Sequence, residues 1–242
     1  MQVLGLDPVS QSKEVRRRIG SQLQDSALPG RLRVGEAVEL FSAFAHDPAD
    51  RHELLARWRL EELRDQPFDT LSGGQRQRLF IALAFVNEPE LVFLDELTQG
   101  LDPQARHATW ELIREIRHEG TTVVLVTHFM DEAEYLCDRL AVFDDGRVVA
   151  IDTPQGLIDQ SGLPSVVRFS TERSDLSWLD AIEVASATTR RGDEVEVHGD
   201  GPILALVASE LVAHGIVPAD LRVERPTVED AFLHLTGRTM RS

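Results

Sequence analysis

The 242 residues predict an α/β protein built on a parallel sheet with a helical subdomain, followed by a small C-terminal α+β domain. Three observations carry this reading. Residues 91–94 and 121–127 are short apolar runs, the mark of strands covered on both faces in a parallel sheet. Each is followed by a helix pattern, at 103–118 and 130–137, and strand-helix alternation of this kind puts helices on the faces of the sheet. Past residue 160 short strands at 166–169, 194–198 and 221–223 mix with helices at 202–214 and 227–235. A boundary is therefore expected between residues 1–160 and 161–242, the second unit being of ordinary domain size.

The remaining elements follow in order. Residues 11–18 form a polar, basic, helix-like stretch ahead of a short strand around Ile19. At 35–44 and 50–63 apolar residues recur at spacings of three and four (Val38, Phe41; Leu54, Leu55, Trp58), which predicts amphipathic helices. The stretch 76–86 is apolar almost all round (Leu79, Phe80, Ala82, Leu83, Val86), so it should be a buried helix, ended by Pro89. Helix 103–118 has Asp102 as N-cap, Pro103 at its first position and Gly120 just past its end. Two strand-like runs, 140–143 and 148–151, flank Asp145-Gly146 as a hairpin.

Composition narrows the function classes. No apolar stretch approaches the ~18 to 20 residues a membrane-spanning helix requires, so a membrane role would run through a partner. No secretory signal is recognisable. Cys137 is the single cysteine, which excludes an intramolecular disulfide and fits a reducing cytoplasm. Lys+Arg 25 against Asp+Glu 41 leaves a net charge of −16, a balance that repels a phosphate backbone. The densest basic run, Arg16-Arg17-Arg18, reads as a solvated face, so nucleic acid is not an expected partner.

The chemistry concentrates in three places. Leu71-Ser72-Gly73-Gly74-Gln75 stands directly before a buried helix, where two glycines let backbone N–H groups approach an anion and the helix N-terminus adds its positive end. The Ser72 hydroxyl can donate as well, although a Ser-Gly-Gly turn can also merely cap a helix. The strand Leu91-Val92-Phe93-Leu94 delivers Asp95 and Glu96 at its C-terminal end, the edge at which open α/β sheets bind ligands. Asp95 suits a water-mediated Mg²⁺ contact and Glu96 a general base that polarises attacking water. One aspartate suffices for Mg²⁺, which keeps waters and phosphates in its shell. His128 ends the second strand at the same edge, where a histidine can contact a γ-phosphate. Asp102, in Gly100-Leu101-Asp102, has a sufficient structural task as helix cap, to which a functional one can be added.

Together these residues resemble the ATPase set of ABC transporters. LSGGQRQR at 71–78 resembles the signature motif, LVFLDE at 91–96 the Walker B strand, Gly100-Leu101-Asp102 the D-loop and His128 the switch histidine. The resemblance makes Gln24 the Q-loop glutamine, a catalytic and Mg²⁺-contacting residue. It covers residues 1 to about 155, and it implies the P-loop nucleotide-hydrolase fold, with ATP and Mg²⁺ as ligands. In this family two ATP-binding subunits sandwich two ATP molecules, so Ser72, Gly73, Gly74 and Gln75 would touch the nucleotide held by the second subunit. A membrane-spanning permease subunit would be the other partner, placing the chain on the inner face of the cell membrane. Residues 144–151 with Asp152-Thr153-Pro154 are similar to the family's last hairpin. The tail Pro226-Thr227-Val228-Glu229-Asp230-Ala231-Phe232-Leu233, on to Gly237-Arg238, resembles the accessory domain of daunorubicin-resistance-type exporters, implying export of drug-like or lipid-like substrates.

Two departures stand out. Leu97 occupies a position where the family usually has proline, which predicts a looser turn behind Glu96. The larger departure concerns the P-loop, G-x-x-x-x-G-K-[ST], whose glycines expose N–H groups to phosphate and whose lysine reaches the β and γ oxygens. Lys13, the single lysine, lies in Gln11-Ser12-Lys13-Glu14 with no glycine near it on the N-terminal side. These residues therefore lack the motif, and Gly5-Leu6-Asp7-Pro8 resembles the segment that ordinarily follows it. The expectation is of an incomplete ATPase, a chain starting after its P-loop, that neither binds ATP tightly nor turns it over alone. A regulatory subunit supplying only its signature to a complete partner is the alternative.

Overall fold

The computed structural model describes residues 1–23 and 27–237, and by its internal contacts the chain divides into two compact units, residues 1–137 and 138–242. In the first unit, helix α1 (Ser12–Arg18) runs straight into strand β1 (Ile19–Gln22), and β2 (Leu91–Asp95) and β3 (Thr122–Val126) complete a parallel sheet in the order β1-β2-β3. Register pairs Ser21 with Phe93 and Phe93 with Val124. Arg18 closes the β1 end with a bidentate pair to Glu90, at 2.6 and 2.7 Å, and Arg17 pairs with Glu14 at 3.5 Å. The basic run lies at the surface, with Arg17 paired within α1 and Arg18 paired to Glu90.

Two helices of the subdomain, α2 (Val34–Phe44) and α3 (Arg51–Arg57), precede the long buried helix α4 (Gly73–Ala84). The helix expected over 50–63 stops at Arg57 and resumes as a single 3₁₀ turn at Glu61–Leu63. Trp58 and Leu60 are both fully buried, and two side chains two residues apart cannot share one face of an α-helix. The chain leaves the helix at Arg59, whose φ is +54°, and both side chains then reach the core. Trp58 packs there against Phe85, ring centroids 5.5 Å apart.

Helix α5 (Pro103–His118) lies between β2 and β3 in sequence, with Asp102 as its cap as expected, and α6 (Met130–Leu136) follows β3. The helices bury one face of the sheet: Val92 and Leu94 join Leu79, Ile81, Ile113 and Ile116 in one core, with Val123 and Leu125 packed against it. The opposite face departs from the expectation of strands covered on both sides. Phe93 is 36%, Val124 39% and Val126 57% exposed. Period-2 alternation sends these residues away from α4 and α5, and no described element covers them.

The second unit begins with the expected hairpin, β4 (Leu140–Asp144) and β5 (Arg147–Asp152). Its turn residues Asp145 and Gly146 both have positive φ, +45° and +72°, as a two-residue type I′ turn requires. Helix α7 (Pro154–Ser161) follows, capped by Thr153 and unanticipated in the sequence. A four-stranded antiparallel sheet of β6 (Ser165–Ser170), β7 (Ala185–Arg191), β8 (Glu194–Gly199) and β9 (Arg222–Glu224) then runs in the order β7-β8-β6-β9. Strand β7, of sequence ASATTRR, escapes sequence reading because it has no apolar alternation. Helix α8 (Ile203–Ala213) buries Ile203, Val207 and Leu211 against Val167, Phe169, Val195 and Val197. Helix α9 (Val228–Thr236) carries the tail motif and packs with α7 and β5.

Two consequences can be measured. A Cβ at Gly20 would collide with the Ala84 backbone carbonyl and lie 3.2 Å from the Pro89 ring, so Gly20→Ala is expected to destabilise the first unit by about 1–3 kcal/mol in chemical unfolding. The Arg18 guanidinium holds the Glu90 carboxyl below its ordinary value of 4.5, chiefly through their hydrogen bonds. A depressed carboxyl contributes stability above its unfolded value and loses that contribution as pH falls through its folded one. Glu90→Gln should therefore lower the unfolding midpoint at pH 7, with the difference from the parent shrinking as pH drops below about 4.5.

Candidate functional site

Three of the five signature residues, Gly73, Gly74 and Gln75, lie inside the helix they were expected to precede. Helix α4 starts at Gly73, not at Arg76, and Ser72 is its N-cap. Ser72 Oγ accepts from the Gln75 N–H at 3.3 Å, and Gln75 Oε1 accepts from the Ser72 N–H at 2.8 Å. This reciprocal capping box is why Ser-x-x-Gln starts a helix here. It also shapes the site. Gly73 and Gly74 take the first two helical positions, whose N–H groups have no intrahelical acceptor, and the Ser72 hydroxyl, used as an acceptor, keeps its hydrogen for donation.

The two glycines differ in what constrains them. A Cβ on Gly74 would sit 3.1 Å from the Ala105 Cβ, whereas on Gly73 it would meet nothing closer than Leu101 Cδ2 at 3.8 Å. Packing of α4 on α5 thus accounts for the absence of a side chain at Gly74 and leaves Gly73 open for approach by a ligand. Asp102, next to these contacts, accepts from the Ala105 N–H at 2.9 Å as the cap of α5. Behind the motif, Arg76 lies over the Phe68 ring at 5.1 Å and donates to the Asp69 carbonyl at 2.8 Å.

At the carboxyl edge of the parallel sheet, Asp95 is the last residue of β2 and Glu96 the first beyond it. His128 lies two residues past the end of β3. The structure brings the last two together: His128 Nδ1 is 3.2 Å from Glu96 Oε1. An ionised carboxylate can only accept, so Nδ1 carries the proton of that bond. Glu96 is the more enclosed partner, its side chain 21% exposed against 52% for His128. The imidazole is further placed by Phe129, ring centroids 4.1 Å apart, and Phe129 in turn by Arg106, 4.5 Å above its ring. Arg106 also pairs with Asp131 at 3.3 Å.

Glu96 has a φ of +48°, a left-handed conformation costly for a residue with a Cβ. The turn is firmly anchored, contrary to the looseness expected from Leu97. Glu96 N–H donates to the Val126 carbonyl at 2.8 Å, Gln99 N–H to the Glu96 carbonyl at 3.2 Å, and Leu97 is completely buried.

Sequence reading missed the group beneath this turn. Thr98 and Glu132 are fully buried, and Glu132 Oε1 accepts from Thr98 Oγ1 at 2.8 Å and from the Trp110 indole N–H at 2.9 Å. An acid in the short run Met130-Asp131-Glu132-Ala133-Glu134 reads as one of several solvated charges, so only the apolar neighbours Ala133 and Leu136 hint at its burial.

Of the expected site residues, Ser72, Gly73, Gly74, Gln75 and Asp102 gather at the facing N-terminal ends of α4 and α5. Asp95, Glu96 and His128 gather at the sheet edge. Gln24 lies outside the described residues. The donor sets fit the expected ligands: a helix start whose Gly73 and Gly74 N–H groups have no intrahelical acceptor suits a phosphate, and a single strand-end aspartate suits Mg²⁺.

These features define the ATP-binding subunits of membrane transporters. Two solved structures bear this out, an ATP-binding subunit of an ABC transporter (TM-score 0.58, 29% identity, 66% of this chain and 69% of that one) and a dimeric ATP-binding cassette in a post-hydrolysis state with ADP and Pi (TM-score 0.52, 31% identity, 61% and 68%). The ABC transporter family matches at residues 2–99. Daunorubicin resistance ATP-binding protein DrrA2 of Streptomyces coeruleorubidus is 35% identical over 97% of this chain and 77% of its own length. Nod factor export ATP-binding protein I of Ralstonia nicotianae is 36% identical over 100% and 77%. The chain belongs to the ATP-binding proteins of ABC transporters.

The glycine asymmetry is testable by unfolding. Gly73→Ala should leave stability unchanged or raise it by up to about 1 kcal/mol, since alanine is the better helix former. Gly74→Ala, whose added Cβ would sit 3.1 Å from the Ala105 Cβ, should be less stable than Gly73→Ala by about 1 kcal/mol.

Proposed function

We propose that this chain is the ATP-binding subunit of an ABC exporter, coupling ATP binding and hydrolysis to export of a drug-like or lipid-like substrate through a separate membrane subunit. The observation that carries the reading is the Glu96–His128 contact at the carboxyl edge of the sheet, 3.2 Å between Oε1 and Nδ1. The exporter names borne by its relatives support the substrate class.

In this reading Glu96 is the general base. Its carboxylate takes the proton of the attacking water while His128 holds it in place. For His128 to donate from Nε2 to a γ-phosphate oxygen as well, its ring must carry both protons. Asp95 would hold Mg²⁺, which would supply positive charge to the phosphate oxygens, and Gln24 is assigned by resemblance as a further residue for the metal and the water. Ser72, Gly73, Gly74 and Gln75 present a hydroxyl and helix-terminal N–H groups to the nucleotide on a second ATP-binding subunit, with Asp102 bordering that surface. Residues 161–242 form the accessory module, and the assembly sits on the inner face of the cell membrane.

The glycine-lysine loop that grips the β and γ phosphates is not found in these 242 residues, and Lys13 stands on α1 beside Glu14. The alternative reading is that the chain lends its signature to a complete partner and hydrolyses nothing itself. Both readings expect no Mg²⁺-dependent ATP turnover by the 242-residue chain alone; measured turnover that Glu96→Gln abolishes would refute this. In a complex with the membrane subunit and a second ATP-binding subunit, the readings separate. If the chain is catalytic, Glu96→Gln and Ser72→Arg should each reduce turnover, the former by about 10²-fold or more. If it only lends its signature, Ser72→Arg should impair the partner's turnover while Glu96→Gln has no effect.

A further inference from the structure

We propose that Glu132 is the positioning residue of this site, a buried carboxylate that locks the strained turn at Glu96 through Thr98 and so aims the proposed base at His128. The inference rests on the reading of Glu96 as general base for its functional meaning, and on geometry for the lock itself.

A glutamate at φ +48° relaxes unless its neighbours over-determine it. On the N-terminal side, β2 pairs with β1 over Leu91–Leu94 and with β3 over Leu91–Asp95, so the pairing of Asp95 with Val126 opposes any rotation that would relieve the turn. On the C-terminal side, the segment carrying Leu97, Thr98 and Gln99 has no strand to hold it. Its side-chain anchors include the burial of Leu97 and the 2.8 Å bond from Thr98 Oγ1 to Glu132 Oε1.

The location of Glu132 makes that bond more than a local staple. It sits on α6, four residues beyond His128, and the same oxygen accepts from Trp110 on α5 at 2.9 Å. One carboxylate thus joins the turn after β2, the helix that follows that turn, and the helix that follows His128. Trp110 is further fixed by stacking on Tyr135 of α6, ring centroids 5.1 Å apart, which holds the indole N–H on target. Glu96 and His128 are therefore tied together twice, directly across 3.2 Å and from beneath through Thr98 and Glu132.

Stability alone does not explain a glutamate here. Its Oε2 is buried with no hydrogen-bond partner among the described residues, an arrangement that costs free energy. An apolar side chain of similar volume would avoid that cost. What the carboxylate provides is an acceptor that two donors from different elements can share, and hence a fixed relation between them.

The test is site-resolved amide exchange on the 242-residue chain, which requires no ATP turnover. Thr98→Val removes only the hydroxyl and should speed exchange of the Glu96, Gln99 and Leu101 amides by at least about 10-fold relative to those of Phe93 and Leu94. Thr98→Ser, which restores the donor, should bring those rates back to within about 3-fold of the parent. Trp110→Phe, which cuts the α5 link and leaves the Thr98 bond, should leave the three amides nearly unchanged. If Thr98→Val proves unfolded, Glu132→Leu breaks the same link with an apolar replacement and should give the same pattern. Unchanged exchange in both link-breaking variants overturns the proposal, as does an equal response to Trp110→Phe, which would reduce Glu132 to a packing contact. A positive exchange result with no effect of Glu96→Gln on turnover in the complex would refute the general-base reading and leave the lock standing.

Discussion

Strand β2 is the constraint on which the first unit depends. It is the central strand of a three-stranded parallel sheet, so its backbone is committed to β1 and β3 on either side, while Val92 and Leu94 are sealed against α4 and α5. Such a strand has no freedom to slide by one residue, because a slip would exchange Val92 and Leu94 for Phe93 and its neighbours. The positions of Asp95 and Glu96 follow from that fixed register. The site inherits its rigidity from hydrophobic burial one to four residues away.

The same strand explains how the two halves of the candidate site relate. Helix α5 leaves the turn after β2 and packs on α4 through Ala105 and Gly74. The helix start that carries Ser72 and Gly73 is therefore held against an element that begins only seven residues beyond Glu96. A side chain at Gly74 would press on that packing, whereas one at Gly73 would meet nothing closer than Leu101 Cδ2 at 3.8 Å. The adjacent glycines of one motif answer to two different forces.

Charge is deployed differently in the two places. The Arg18–Glu90 pair sits in the open at the N-terminal end of β2, where ion pairs add little and serve mainly to fix geometry. Glu132, by contrast, is enclosed at the other end of the same strand. There the low dielectric makes each hydrogen bond stronger and each orphaned atom more costly. Among the described residues, the one fully buried carboxylate lies where three elements converge behind the proposed base.

Much of this was legible in the residues themselves. The motif 71–75, the acids at the end of 91–94, the cap at Asp102 and the histidine at 128 depend on local spacing, and local chemistry decides a helix cap or a strand end. The Asp145-Gly146 hairpin turn was legible for the same reason. What tertiary structure alone decided depends on which side chains had to be buried together. The break at Arg59 arises because Trp58 and Leu60 both enter one core, and the exposed face of Phe93 and Val124 because the described helices cover the other side. Strand β7 exists because β8 offers it a free edge, not because its own sequence alternates. Glu132 belongs with these: among the neighbouring acids Asp131 and Glu134, nothing in the chain marks it as the buried one. Only the meeting of Thr98, Trp110 and Glu132, 34 residues apart at the extremes, gives that carboxylate its partners.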